Sequence, residues 1–162
     1  MALIRPLEAS DLAAVIEAYH DAVCSQAPAL YSAGQVRAWA GHAAANRDLE
    51  ASLLRGKGLV SCGNADSASS IEAFALLDPL DRLALLYCRG RSSRQGRATA
   101  LLHGLEAQAA RSGVRQLRTE ASQLSLPLLL RHGWRIEAPE DVLFAGEWFH
   151  RWRMVKSLPV FP

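Results

Sequence analysis

The chain has 162 residues, half of them hydrophobic, and a formal net charge of +2. This length suits one domain with a substantial core, so we expect a single domain over residues 1–162. So small a net charge excludes a polycation that coats nucleic acid. An odd number of cysteines without C-x-x-C spacing argues against a disulfide framework and a zinc site. The start lacks signal-peptide features and no apolar stretch approaches about 18 residues, so we expect a cytoplasmic protein without a membrane span.

The first part of the chain predicts a short strand at residues 3–5 and then helices. Ser10 is expected to cap the first helix, whose apolar positions keep helical spacing from residue 12 to residue 23. Ser32 and Gln35 have the form of a capping box for a second helix. Asn46 is expected to cap a third helix, around residues 49–54.

The middle of the chain changes from helical to strand-like periodicity. Strands are predicted at residues 59–62, 71–77 and 83–88, joined by a turn rich in small residues at 63–70 and an Asp-Pro turn at 78–81. Strands connected by such short turns are typical of an antiparallel meander.

A basic turn and a long helix follow the third of these strands. The helix is predicted to begin at Ser92 or Ser93, to present an apolar stripe, and to end at Gly113. A helix N-terminus has unpaired backbone N–H groups and a partial positive charge, which favour an anion such as phosphate. Four arginines near this terminus strengthen the prediction of an anionic ligand: Arg89, Arg91, Arg94 and Arg97.

The last part predicts a strand at residues 116–121, a short helix at about 125–132 that Gly133 ends, and a terminal hairpin. The hairpin strands are expected at 134–137 and 143–155, with Gly146 as a bulge or a turn. The predicted fold class is α/β. More specifically, we expect an α+β arrangement in which helices pack on the faces of a mixed sheet.

The basic turn also fits a family pattern. Residues 93–98, Ser-Arg-Gln-Gly-Arg-Ala, match a Q/R-x-x-G-x-G/A turn, and Leu101 and Leu102 match the double leucine that follows it. The chain resembles the GNAT superfamily of acetyl-CoA-dependent N-acetyltransferases, and in particular a bacterial subgroup. Further matches are Tyr31-Ser32 with Gln35 and Ala38-Trp39, then 119–122, 131–134 and 153–156.

The resemblance implies a mostly antiparallel sheet of six to seven strands with helices on both faces. It implies acetyl-CoA as cosubstrate, without a metal, and transfer of the acetyl group to a primary amine of a small molecule or to an exposed amino group. The turn would hold the coenzyme pyrophosphate, and the preceding strand would pair with the pantetheine arm. The coenzyme-binding residues implied are Leu86, Tyr87, Cys88, Ser93, Arg94, Gln95, Gly96, Arg97, Ala98 and Ser122.

The chain departs from the family pattern at several positions. Ser93 stands where Gln or Arg is usual, and Arg94 occupies a common glycine position, where an αL backbone would be strained. Leu128 and Leu129 replace a frequent aromatic pair, so no tyrosine acid is assigned there. Ala84 replaces an acidic residue that often serves as base. These departures support a second hypothesis, a GNAT-shaped protein that binds coenzyme A or another phosphorylated ligand without turnover.

Glu120 is the predicted catalytic base, because it ends the strand that borders the expected sheet opening; the alternative is an ion pair with an arginine. His132 could act as an acid or a base. It precedes a terminating glycine, however, and histidines at such positions more often cap carbonyls than take part in catalysis. Strand alternation turns Glu72 either outward to solvent or inward to a substrate ammonium, and we expect it to point to solvent. Cys88 is interpreted as a small hydrophobic residue that faces the long helix, and not as a nucleophile.

The side chains of Tyr19, Tyr31, Trp39 and His42 could bind the acceptor amine, although Tyr19 and Trp39 also fit core positions of amphipathic helices. The aromatic and basic residues at 148–153 are explained by packing of a terminal strand rather than by nucleic-acid stacking. We therefore expect an amine substrate and no nucleic-acid or membrane partner, and a homodimer is an open alternative to a monomer.

Overall fold

The computed structural model describes residues 2–63 and 70–160; the turn predicted at 63–70 lies largely outside this part. Seven strands and five helices are described there. The strands are β1 (Leu3–Pro6), β2 (Lys57–Cys62), β3 (Ile71–Leu77), β4 (Leu83–Cys88), β5 (Gln116–Ala121), β6 (Arg135–Phe144) and β7 (Glu147–Ser157). The helices are α1 (Leu12–Gln26), α2 (Ala33–Ala45), α3 (Asp48–Arg55), α4 (Arg97–Arg111) and α5 (Leu126–Arg131).

The strands form two antiparallel sheets. The first has the order β1-β2-β3-β4, which confirms the predicted meander, and the second has the order β5-β7-β6. The predicted class of an α/β fold with helices packed on a mostly antiparallel sheet is confirmed, and its seven strands are divided between these two sheets.

Strand β3 is buried on both faces and lies at the centre of the core. Phe74 and Leu76 pack with α1 and α2, whereas Ala73, Ala75 and Leu77 pack with α4. Since successive side chains of a strand point to opposite faces, this division places α1 and α2 on one face of the sheet and α4 on the other.

Of the three predicted helix caps, the Ser32 cap is observed. Ser32 Oγ accepts the Gln35 N–H at 3.1 Å, and Gln35 Oε1 accepts the Ser32 N–H at 2.9 Å, which completes the capping box. The Asn46 cap differs from the prediction: the N-cap residue of α3 is Arg47, and Asn46, one position earlier, accepts the Asp48 N–H at Oδ1 at 3.0 Å. The Ser10 cap is wrong, because a 3-10 turn at Ala9–Asp11 precedes α1 and its capping box uses Glu8 and Asp11 instead.

The terminal hairpin differs from the prediction in length. Strand β6 runs without a break through residues 138–142, including Pro139, which lie between the two predicted strands. Proline is tolerated there because β6 is an edge strand, with β7 as its one neighbour in the sheet. Ala145 and Gly146, with φ of 52° and 83°, form the two-residue turn, so Gly146 is a turn residue.

Candidate functional site

Strands β4 and β5 run side by side and then separate. Their backbones meet at a parallel bridge between Arg82 and Arg118. One residue further, Thr119 Oγ1 donates a hydrogen bond of 2.7 Å to Leu83 O. Beyond this point the described residues form no ladder between the strands, and a cleft of about 530 Å³ opens. The two sheets thus create the predicted opening.

A β-bulge in β4 determines which backbone groups face this cleft. Leu85 pairs with Leu76, but Leu83 pairs with Leu77, so Ala84 is an extra residue in β4. Because Arg89 N donates to Glu72 O of β3 at 2.8 Å, strand alternation turns the backbone groups of Leu86 and Cys88 away from β3. The N–H groups of both residues therefore point into the cleft.

The Cys88 carbonyl already has a partner. Gln26, the last residue of α1, donates from Nε2 to Cys88 O at 2.6 Å. The two residues are 62 positions apart, and no local sequence signal indicated this contact. Gln26 is thus a site residue that the sequence analysis missed.

The basic turn contains two residues with a left-handed backbone conformation before α4 begins. A 3-10 turn at Gly90–Ser92 follows β4, and then Arg94 has φ 59° and Gly96 has φ 81°. The predicted helix start at Ser92 or Ser93 is therefore wrong, since α4 begins at Arg97. The strained αL backbone expected for Arg94 is observed.

Unpaired amides collect at this helix start. The first intrahelical bond runs from Ala100 N to Gly96 O at 3.0 Å, and the N–H groups of residues 94–99 have no acceptor among the described residues. An ideal Cβ on Gly96 would have no heavy atom within 4 Å. The turn thus presents N–H donors on an open surface, as an anion site requires.

Three of the four nearby arginines are held by other groups of the protein. Arg89 Nε donates to Ile71 O at 2.9 Å, Arg91 pairs with Glu72, and Arg97 Nη1 donates to Ser61 Oγ and Cys62 O, both at 2.9 Å. Arg94 is exposed and has no ion-pair partner in the described chain. Arg94 therefore supplies the uncommitted positive charge of this turn.

Glu72 is buried, which contradicts the expectation that it points to solvent. It accepts hydrogen bonds from Arg91 Nε at 2.8 Å, from Arg91 Nη2 at 2.7 Å and from Ser92 Oγ at 2.6 Å, and it also bonds Ser70. These bonds, the one from Arg91 above all, hold the pKa of the Glu72 carboxyl well below its usual range. Glu72 thus anchors the basic turn to β3.

The predicted base, Glu120, lies on the cleft wall at the end of β5. Its Oε2 is 3.0 Å from Arg82 Nε, and the Arg82 Nη1 group also donates to Asp78 O at 3.3 Å. The alternative of an ion pair is therefore observed. The pair joins β5 to the residue before β4, at the point where the two strands diverge.

Aromatic side chains form one wall of the cleft. Trp39 Nε1 donates to Tyr87 Oη at 3.0 Å, and the Tyr19 and Tyr87 rings lie 4.6 Å apart between centroids. Burial raises the pKa of both tyrosine hydroxyls, which keeps them protonated. The backbone N–H and C=O groups of Tyr87 point toward β3. Its contribution to this wall is therefore its side chain.

Tyr31 links the aromatic wall to the segment that follows β5. Its Oη accepts the Gln123 N–H at 3.0 Å, and burial raises the pKa of this hydroxyl. Next to it, Ser122 Oγ accepts the N–H groups of Leu124 and Ser125, each at 3.2 Å. Ser122 therefore orders the start of α5 at the cleft edge.

Cys88 and His132 do not have the surroundings of reactive groups. Cys88 packs among residues that face α4, as predicted, and burial raises the pKa of its thiol to about 11. A neutral thiol is a poor nucleophile. His132 caps the end of α5, its ring lies 3.2 Å from His103, and its carbonyl accepts from Lys156 Nζ at 2.7 Å.

The cleft brings together part of the predicted site. Its lining includes Glu120 and five coenzyme-binding candidates, namely Leu86, Tyr87, Cys88, Ala98 and Ser122. The candidates Ser93, Arg94, Gln95, Gly96 and Arg97 lie in the turn outside the lining. The four acceptor-side candidates Tyr19, Tyr31, Trp39 and His42 all line the cleft.

Solved structures share this architecture over nearly the whole chain. A GCN5-related N-acetyltransferase from Rhodopseudomonas palustris superposes with a TM-score of 0.88, at 24% identity, covering 98% of this chain and 96% of that one. The chain has the GNAT acetyltransferase fold. In this chain the two separating strands, the bulge in β4 and the turn before α4 shape the cleft.

Two further GNAT structures were solved with coenzyme. The PaiA N-acetyltransferase of Thermoplasma acidophilum, in complex with coenzyme A, has a TM-score of 0.75 at 16% identity, covering 97% of this chain and 99% of that one. A phosphinothricin acetyltransferase of Sinorhizobium meliloti, in complex with acetyl-CoA, has a TM-score of 0.68 at 16% identity, with coverages of 97% and 88%. No protein-family profile and no curated protein matches the sequence.

No helix within residues 2–63 and 70–160 is long and apolar enough to cross a membrane. In the same residues, no group of three or more His, Cys, Asp or Glu side chains is placed to hold a metal ion.

Proposed function

We propose that this protein is an N-acetyltransferase that moves an acetyl group from acetyl-CoA to a primary amine of a small molecule or to an exposed amino group. The observation that carries the proposal is the open edge of β4, where the N–H groups of Leu86 and Cys88 face a cleft beside the amides of residues 94–99. GNAT structures solved with coenzyme A or acetyl-CoA support the choice of cosubstrate.

The turn before α4 would bind the pyrophosphate. Residues 94–99 offer several N–H donors at a helix start, and Arg94 adds an exposed positive charge. Ser93 and Gln95 flank Arg94, whose backbone is left-handed. Ala98 lines the cleft. Arg97 would support the site indirectly, because its guanidinium is bonded to β2.

The pantetheine arm would lie along β4. Its amides can pair with backbone groups of Leu86 and Cys88, as an added strand pairs with a sheet edge. The Cys88 carbonyl is bonded to Gln26, so an arm that uses this carbonyl must displace the Gln26 amide. Ser122, across the cleft at the end of β5, would border the thioester end.

The reaction would proceed by direct attack. The neutral amine nitrogen forms a bond to the thioester carbonyl carbon, and the carbonyl oxygen becomes an oxyanion that a β4 N–H group can stabilise. The C–S bond then breaks, the sulfur leaves as thiolate, and the new ammonium nitrogen loses a proton to yield the amide. Because the pKa of a thiol is about 8.5, the sulfur can leave as thiolate without protonation by a tyrosine.

Glu120 is the base proposed for the proton lost by the amine. It lies on the cleft wall where β4 and β5 diverge, and Arg82 holds it there. Glu120→Gln should lower kcat at neutral pH by about 10²-fold or more, because it removes general-base catalysis. Glu137→Gln, on the exposed side of β6, is the matched control and should leave kcat unchanged. Equal activity of both variants would exclude Glu120 as base.

Calorimetric titration with acetyl-CoA, followed by an assay of thiol release with a panel of amines, tests the proposal. Binding together with amine-dependent thiol release is expected. Absence of binding at millimolar acetyl-CoA would contradict the proposal. Tight binding without release for any amine would instead favour the coenzyme-binding protein without turnover.

A further inference from the structure

We infer, on the basis of the proposed acetyl transfer, that the acceptor is a small monoamine with an aromatic group, which the aromatic wall of the cleft binds. This wall is formed by side chains of α1, α2, β4 and the β6–β7 hairpin, together with the segment between α1 and α2. Its members are Tyr19, Tyr31, Trp39, His42, Tyr87, Phe144 and Phe149.

The rings of this wall pack against each other and also line the cleft. Trp39 meets Tyr31 and Phe149 edge to face, with centroids 5.3 Å and 6.1 Å away. The His42 and Phe144 rings lie 4.3 Å apart and border the cleft. Aromatic pairs at such distances stabilise each other beyond the effect of area burial. A planar apolar group therefore fits this surface.

The charged groups of the cleft do not suit a polycation. Two carboxylates line it, Asp48 of α3 and Glu120, and Glu120 is paired with Arg82. The basic residues Arg151 and His150, also in the lining, pair with Glu140 and Asp141 on β6 at 2.7 Å each. Since each desolvated ammonium needs a partner, a polyamine would leave charges unpaired. One ammonium has sufficient partners.

Two of the tyrosine hydroxyls of the aromatic wall already accept a hydrogen bond from the protein. Tyr87 Oη accepts from Trp39 Nε1, and Tyr31 Oη accepts from Gln123 N. An acceptor rich in hydroxyl groups would therefore find few hydrogen-bond partners on this wall. The cleft of about 530 Å³ must also hold the thioester end of the cosubstrate, so the acceptor is small.

The test compares amines that differ in the aromatic group. With acetyl-CoA held constant, kcat/KM is measured for 2-phenylethylamine, ethylamine, spermidine and an alanyl peptide. We expect 2-phenylethylamine to exceed ethylamine by at least about tenfold, since its ring is transferred from water to an apolar surface. Equal values for these two amines, or a preference for spermidine or the peptide, would overturn the inference and leave acetyl transfer in place.

A pair of variants locates the preference on the wall. Phe144→Ala should lower the ratio of kcat/KM for 2-phenylethylamine over ethylamine by about tenfold or more, because it removes a ring of the wall. Leu143→Ala, the neighbouring residue on the exposed face of β6, should leave this ratio unchanged. A loss of folded protein lowers both activities and does not change their ratio.

The outcomes separate the two proposals. An unchanged ratio in Phe144→Ala overturns the role of the aromatic wall. Absence of acetyl transfer to all four amines overturns the proposed function itself, and with it the inference that rests on it.

Discussion

Trp39 Nε1 and Tyr87 Oη form a hydrogen bond of 3.0 Å that joins helix α2 to strand β4 across the aromatic wall. Both residues lie in the core cluster on the α1 and α2 face of the first sheet, and both line the cleft. The contact therefore links the position of α2 to the strand that borders the proposed coenzyme site.

Loss of this bond should destabilise the fold. Trp39→Phe leaves the buried Tyr87 hydroxyl without this donor and removes ring volume, so we expect the free energy of unfolding to fall by about 1–3 kcal/mol. Tyr87→Phe removes the same bond from the other side. The double variant should lose less stability than the two single losses together, because the shared bond can be lost once. Urea unfolding of the four proteins measures the coupling, and strict additivity would show that the bond contributes nothing.

Glu72 should make stability depend on pH in the acid range. Its pKa is depressed in the folded protein, so its contribution is present above the unfolded value of about 4.5 and is lost as pH falls toward the folded pKa. Glu72→Gln should be less stable than the wild type at pH 7, and this difference should narrow below about pH 4.5. Thermal unfolding between about pH 2 and 7 measures the difference. A gap that stays constant across this range would contradict the role of the ion pair with Arg91.

Gly96→Ala should weaken coenzyme binding while the domain remains folded. Gly96 has φ +81°, so an alanine there costs about 1–2 kcal/mol of backbone strain or displaces the turn. Gly41→Ala is the matched control, because it lies in α2 with open space around it and should raise stability by about 0.5–1 kcal/mol. Calorimetry with acetyl-CoA should show weaker binding for Gly96→Ala and unchanged binding for Gly41→Ala. Equal affinities would place the pyrophosphate elsewhere.

The variant Arg94→Asn should separate the effect of the Arg94 charge on coenzyme binding from the effect of its left-handed backbone. Asparagine tolerates the left-handed region better than most residues, so the turn is expected to keep its shape and stability. The loss of an exposed positive charge should lower coenzyme affinity at low salt and flatten its dependence on ionic strength. Titrations of acetyl-CoA at low and high salt, with Arg94→Lys as the charge-preserving control, measure this effect. A salt dependence equal to that of the wild type would show that Arg94 does not act on the ligand.

The parts predicted from sequence depend on local chemistry. The Ser32 capping box joins residues three positions apart, and the apolar stripe of α4 repeats within its own helix, so both are visible in a short window. The helix-terminating Gly133 follows the same rule, with φ +86°.

The parts that sequence did not predict depend on distant partners. Glu72 is buried because Arg91 and Ser92, about 20 positions later, fold back onto it. The extra residue Ala84 is recognised through its pairing with β3 and leaves no pattern of its own. The start of α4 was placed too early because the left-handed backbone of Arg94 is imposed by the turn and contradicts the preference of arginine.

The separation of β5 from β4 beyond the Arg82–Arg118 bridge leaves the first sheet with an open border along β4. Main-chain amides that lack a neighbouring strand are satisfied by water or by a guest that carries amides of its own. A guest that completes this border binds the native chain and not the unfolded one, so it acts as a removable eighth strand. The melting temperature of the protein should therefore rise with the logarithm of the guest concentration, in the manner of any ligand that recognises the native state alone.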